Sequence, residues 1–164
     1  MWDNDHIPTV EFGLNPSYSA AITSMSNAFR SVGSKAGVQL MQRTQYAMDT
    51  HAKAFIEKLG TDTQQKAREI ERDQVGHSKS GYIPTGNLMR NINHHESDDG
   101  LTTQTYPEAQ SKDGYNYGQA VEFGLKDRNY PADPFMKPAG EEVSKNLNGR
   151  SRQALNEAMK EARQ

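Results

Sequence analysis

The sequence predicts an α+β fold: long amphipathic N-terminal helices, a small mainly antiparallel β-sheet, and a C-terminal helix packed on it. Three observations carry that expectation. Val38, Met41, Gln45, Met48, Ala52, Phe55 and Leu59 step by three and four residues, which draws a narrow apolar stripe along a helix of about six turns. Asp99-Gly100 is a hairpin dipeptide set between Ile92–Glu96 and the β-branched and aromatic stretch Leu101–Tyr106. Met136, Ala139, Val143, Leu147, Ala154, Ala158 and Ala162 keep a roughly helical spacing to the end of the chain.

The elements follow in order. Residues 1–15 read as a polar tail and a short strand, because Val10, Phe12 and Leu14 alternate with Glu11 and Gly13. Residues 16–75 read as helical with interruptions. Asn15 is the expected cap and Pro16 the first helical position. Ala20, Ala21, Met25, Ala28 and Phe29 share one face, Gly33 and Gly37 bracket a break, and Gly60 is read as a breaker or kink. Thr61 with Gln64 would cap a further helix carrying Ala67 and Ile70. Residues 76–135 read as a loop followed by a β-rich region. Gly76, Gly81, Pro84 and Gly86 supply its turn chemistry beside Ser78 and Lys79. Pro107–Asn116 is expected to be a polar, mobile loop, and Tyr117–Leu125 fits either a strand or a short helix. Residues 136–164 read as one terminal helix with Pro138 at its start, Glu141 and Glu142 in its first turn, and an interruption at Asn148-Gly149.

Length and composition bound the function. The 164 residues make one domain. Leu, Ile, Val and Phe together number only 25, a level that raises the question of disorder when net charge is high; here it is −2. A mean hydropathy of −0.93 describes a surface-rich chain, one expected to complete its packing in an assembly. There is no cysteine, which excludes disulfides, thiolate nucleophiles and cysteine zinc sites. The acidic start Met1-Trp2-Asp3-Asn4-Asp5-His6 does not read as a signal peptide. No apolar run approaches the ~18 residues of a membrane span, and the balanced charge argues against a general nucleic-acid or membrane binder.

Candidate chemistry is sparse. His94-His95-Glu96 with Asp98 and Asp99 is the best metal or catalytic cluster, and it supports an alternative reading as a metal-dependent nuclease or hydrolase through His94, His95 and Asp98. Metal ligands must converge on one point, whereas a strand would turn His94 and His95 to opposite faces. His51 has no second histidine at four-residue spacing, and His6 and His77 fall in segments read as loops. Glu69, Glu71 and Asp73 alternate with Arg68 and Arg72, which reads as a solvated ion-pair face. Lys137, Lys145, Arg150, Arg152, Lys160 and Arg163 could form a basic stripe for a DNA-binding accessory role, blunted by interspersed glutamates. Val10–Leu14 is echoed as Val121–Leu125 without matching flanks. No cofactor motif is present.

Three segments, taken in order, narrow the reading: Tyr82-Ile83-Pro84-Thr85-Gly86-Asn87-Leu88-Met89-Arg90-Asn91-Ile92, then Tyr117-Gly118-Gln119-Ala120-Val121-Glu122-Phe123-Gly124, then Tyr130-Pro131-Ala132-Asp133-Pro134-Phe135-Met136-Lys137-Pro138-Ala139. Following an amphipathic helix, this set resembles a family of tailed-phage neck and tail-completion proteins, similar in role to the lambda tail-completion protein Z. The resemblance covers roughly residues 40–160. Ala120 replaces the second aromatic of the middle motif, and the helical region before residue 76 is longer and more broken than the family pattern. The resemblance implies a non-enzymatic virion protein at the head–tail junction, made in the host cytoplasm, that joins or completes the tail as a ring, with six copies expected. It implies head-closure and tail-terminator proteins as partners, passive proximity to DNA in the lumen, no membrane and no cofactor. On the residues, Thr85 caps, Gly86 turns the chain, and Leu88 and Ile92 enter the core. Tyr117 keeps the aromatic position, Val121 and Phe123 pack under the sheet, and Gly124 releases the chain. Pro131 and Pro134 stiffen a linker before Phe135 anchors the last helix, and Pro138 sits at the start of that helix. Glu122 reads as a hydrogen-bond or ion-pair partner for a loop or a neighbouring subunit.

Overall fold

The computed structural model describes residues 6–76 and 83–164; residues 1–5 and 77–82 lie outside them, and with them the readings made at His77, Ser78, Lys79, Gly81 and Tyr82. The fold is α+β, with elements in the order β1 (Val10–Gly13), α1 (Ser17–Ser31), α2 (Lys35–Gln74), α3 (Asn87–Arg90), β2 (Ile92–Glu96), β3 (Thr102–Pro107), α4 (Tyr117–Phe123), α5 (Met136–Ser144) and α6 (Leu147–Ala162). A 3-10 turn, Lys126–Arg128, follows α4.

Helix α2 is the spine. Its 40 residues give a length of about 60 Å at 1.5 Å per residue. Ser34 caps it, its hydroxyl accepting from Gly37 N–H at 3.2 Å, after a turn in which Gly33 holds φ +71°. The break expected between Gly33 and Gly37 is therefore confined to residues 32–34, and Gly37 lies in the first turn of α2, where the Phe29 ring sits over it. At the start of α1, the cap position is Pro16 rather than Asn15 and the first helical residue is Ser17.

Gly60 does not break α2. It is buried in mid-helix, and a Cβ there would meet Thr103 Oγ1 at 2.3 Å and His94 Cδ2 at 2.9 Å. The missing side chain is what lets the sheet lie on the helix. Thr61 consequently starts no new helix: its hydroxyl donates to the Glu57 carbonyl at 3.1 Å. The buried set of α2 is also broader than one stripe. Thr44, Ala47, Ile56 and Thr63 join Met41 and Leu59, because α2 takes α1 on one side and α6 and the sheet on others.

The three strands form an antiparallel sheet in the order β1-β3-β2. Val10 pairs with Thr105, and His94 also pairs with Thr105 from the other side. The hairpin turn falls at Asp99-Gly100 as the dipeptide predicts, with Gly100 at φ +70°. The inner face presents Ile92, Thr103 and Thr105, all buried. One apolar cluster joins Ala67 and Ile70 of α2 to Leu88, Ile92, Val121, Phe135, Met136 and Ala139. A second joins Ile56, Leu59 and Val143, with Phe12 and Leu14 packed against them. The third is small-residue contact of α2 with α6 through Ala47, Ala158 and Ala162.

The choice left open at Tyr117–Leu125 is decided, and two further expectations are corrected. Tyr117–Phe123 is a helix, capped by Asn116, whose side chain accepts from Gly118 N–H at 3.0 Å. The terminal helix is two helices, and the break falls at Lys145-Asn146; Asn148 and Gly149 lie in the first turn of α6, where Arg150 N–H reaches the Asn146 carbonyl. The Pro107–Asn116 loop is pinned at both ends: Ala109 and Asn116 are buried, Asn116 donates to the Pro107 carbonyl at 2.6 Å, and Ser111 N–H bonds the Tyr115 carbonyl.

Candidate functional site

The second and third motif segments meet at one carboxylate. Glu122, on α4, is 4% exposed. Its Oε2 accepts from Phe135 N–H at 2.8 Å and Met136 N–H at 2.9 Å, and its Oε1 from Lys137 N–H at 2.9 Å. Those are the free N–H groups at the start of α5, where a helix leaves donors unpaired and its dipole favours an anion. Both carboxylate oxygens are occupied, so this group ties α4 to α5. The chain makes this return in a tight loop. Gly124 adopts φ +73°, and a Cβ there would lie 2.7 Å from Ala132 N and Tyr130 O. Asp133 N–H bonds the Val121 carbonyl at 2.7 Å, and its carboxylate accepts from Gly76 N–H at 2.9 Å, which fastens the end of α2.

The first motif joins the same assembly. Gly86 sits at φ +74° ahead of α3, and Thr85 Oγ1 accepts from Asn87 N–H at 3.4 Å. Leu88 and Ile92 are fully buried. The Asn87 amide donates to the Tyr117 hydroxyl, and Tyr117 packs on the cluster that holds Val121 and Phe135. Pro138 occupies the third position of α5, where a missing N–H costs little. Pro134 is exposed. Phe123 is not under the sheet. It is 58% exposed, because α4 is a helix and a residue two beyond Val121 turns about 200° away from it.

The histidine cluster is divided between two faces, as strand alternation requires. His94 faces α2, with Nδ1 3.1 Å from Gln64 Oε1 and Nε2 3.3 Å from Glu96. His95 faces outward, with Nε2 2.7 Å from Glu108 and its ring stacked on Tyr106 at 5.1 Å between centroids. The Asn93 amide, and then His95, hold Glu108 below the usual carboxylate range. Asp98 is exposed in the turn. Asp99 builds that turn, accepting from Ser97 Oγ at 2.6 Å and Leu101 N–H at 2.9 Å, and both bonds lower its carboxyl. Among the described residues, no group of three His, Asp or Glu side chains could hold a metal ion.

The basic stripe is interrupted by partners. Lys137 lies 4.0 Å from Glu141, Lys145 pairs with Glu142 and Arg150 pairs with Asp62 of α2. The charged face read at residues 68–73 is likewise divided. Arg72 and Asp73 form an exposed pair, but Arg68 reaches inward to the Ile92 carbonyl at 2.8 Å. Glu71 is 1% exposed, its Oε1 has no hydrogen-bond partner among the described residues, and burial pushes its carboxyl up. Its position four residues after Ala67 places it on the core side; that spacing is the signal a charge-pattern reading misses.

Apolar surface remains open around Phe123 and between α1, α2 and α6. Phe123 lies between clefts of about 330 and 360 Å³, both bordered by His6. A cleft of about 440 Å³ opens where α1, α2 and α6 meet. At its edge the Tyr18 hydroxyl donates to Asp49 at 2.8 Å, and burial, reinforced by Asp49, pushes this phenol up to about 12. His51 bridges to Glu161 of α6 at 2.8 Å. Among the described residues, no helix is long and apolar enough to cross a membrane. No protein-family model, curated protein or solved structure matches the chain.

Proposed function

We propose that this protein is a structural component of a long-tailed phage virion, acting at the head–tail junction to join or complete the tail as a ring of six identical subunits. The observation that carries the reading is the joining of the three motif segments. Thr85–Ile92, Tyr117–Gly124 and Pro134–Pro138 are linked through the Asn87–Tyr117 and Glu122–α5 hydrogen bonds, so the residues behind the resemblance act as one scaffold. The exposed Phe123, Met25 and Leu155 give such a scaffold apolar surface to cover, of the kind that marks contact with other proteins. A ring needs two different patches that close by rotation, and this chain carries apolar clefts at separate places. Head-closure and tail-terminator proteins are the partners of this reading, and DNA passes the lumen without specific readout.

The test is protein mass spectrometry and cryo-electron microscopy of purified particles of the phage that encodes the chain. The expected result is a fixed, low copy number with density on the portal-to-tail axis. Particles that lack the chain, or a purified chain whose divalent-metal nuclease activity disappears on His94→Ala, would overturn the proposal.

A further inference from the structure

Strand β1 is attached to the molecule as an arm. It lies at the edge of the sheet, so it can leave by breaking backbone hydrogen bonds on one side only. None of its residues is fully buried: Val10 and Phe12 are half-buried, and Glu11 and Gly13 are exposed. The link to α1 runs through Asn15, Pro16 and Ser17, all exposed. Pro16 keeps Asn15 out of helical backbone, so β1 and α1 stay separate segments. The pentapeptide Val10–Leu14 has no fixed conformation of its own. Its echo at 121–125 places Val121, Glu122 and Phe123 in helix α4. The strand form at 10–13 is imposed by the seat it occupies.

That seat is specific. Val10 pairs with Thr105 and Phe12 with Thr103. Phe12 and Leu14 pack against Ile56, Leu59 and Val143. Gly140 of α5 makes room for Val10, since a Cβ there would meet Val10 Cγ1 at 3.0 Å. Gln104 Nε2 donates to the Glu11 carboxylate at 2.6 Å. The occupant that satisfies this seat is Val10–Leu14 in extended form, and a second copy of the chain carries the same segment.

We infer that β1 is an exchangeable arm: Val10–Leu14 of one copy takes the place beside β3 in a second copy. Exchange keeps every contact of the seat, which makes it a low-cost route to assembly. Copies held side by side meet at high effective concentration, and that shifts the balance from a chain's own arm to its neighbour's. The inference rests on the ring reading above and names the contact that would close it. Arm and seat are different surfaces, so successive copies join head to tail.

The chain has no cysteine, so an engineered pair reads the exchange directly. Glu11 and Gln104 face each other across β1 and β3, and both are exposed. Leu14 N–H bonds the Leu101 carbonyl, which makes 11 and 104 a non-hydrogen-bonded pair with Cα atoms about 4.5 Å apart, within reach of a disulfide. Full-length chain carrying Glu11→Cys and Gln104→Cys is checked for folding by circular dichroism. It is equilibrated reduced from nanomolar to hundreds of micromolar, oxidised rapidly and run on a non-reducing gel. The expected result is intrachain-linked monomer in dilute samples and interchain-linked species that rise about tenfold or more across the range. A mixture of Glu11→Cys chain and Gln104→Cys chain should form the 11–104 link, read by mass spectrometry. It should do so about tenfold more than Glu11→Cys chain forms a link with Gln153→Cys chain, whose cysteine is exposed on α6. Intrachain links alone at every concentration overturn the exchange, as does equal linking in the two mixtures. Association seen by sedimentation with intrachain links alone overturns the exchange and leaves the ring reading standing. Absence from particles overturns the ring reading instead.

Discussion

Glu122 shows how one side chain joins segments that are distant in sequence. Its carboxylate receives three backbone N–H groups in a buried setting, where hydrogen bonds to a charged group are worth about 1.5–3 kcal/mol each and a stranded donor costs about as much. Glu122→Ala should cost roughly 3 kcal/mol, read as a lower urea midpoint with an unchanged slope; a midpoint within error of wild type would refute the capping role. Glu71 predicts the opposite sign. Its carboxyl is raised by burial, so the folded protein holds this proton above the pH at which the unfolded chain releases it. Its contribution is therefore most favourable below the ordinary carboxylate range and is lost as pH rises through the raised value. Glu71→Gln should stabilise the protein at neutral pH by about 1 kcal/mol, and the gain should vanish in acid. Urea melts at both pH values check this, and a gain that is the same at both would sink it. The two glutamates look alike in sequence, each flanked by an apolar residue. What separates them is whether a helix start lies within reach, and only the fold supplies that.

At the scale of elements, local chemistry was legible where it acts within about four residues. The Asp99-Gly100 hairpin, strand Ile92–Glu96 and the left-handed Gly86 all follow from turn and period rules. Gly60 was misread because a glycine within a helix has two physical meanings, a weak point or a contact point, and local sequence favours the first. Gly60→Ala tests the second. The substitution gains up to about 1 kcal/mol of helix propensity but drives a Cβ into Thr103 Oγ1, and overpacking costs about 1–3 kcal/mol. A net loss of about 1–2 kcal/mol is expected, with recovery in the Gly60→Ala, Thr103→Ala double variant. A more stable single variant would show that the sheet is not seated on this residue. Phe123 belongs here too: its outward direction followed from the choice between strand and helix at 117–125, which the residues alone left open.

Across the whole molecule, α2 links regions of unequal strength. Its C-terminal half enters the cluster with Leu88, Ile92 and Phe135, whereas its N-terminal half meets α6 through alanines and α1 through half-exposed side chains. Amides with few buried apolar neighbours open first. Hydrogen exchange should therefore be faster in α1 than in residues 56–71 of α2, and equal protection would contradict this account of the packing.

By itself, the sequence determined the α+β class, the hairpin, the long helix and the burial of Leu88, Ile92, Val121 and Phe135, because periodicity and turn chemistry are properties of neighbouring residues. The tertiary structure alone decided that α2 runs unbroken through Gly60, that Glu122 starts α5, and that Glu71 is buried. Each of those outcomes depends on which distant surface arrives at a residue, and that information is spread over the whole chain rather than carried at any one position.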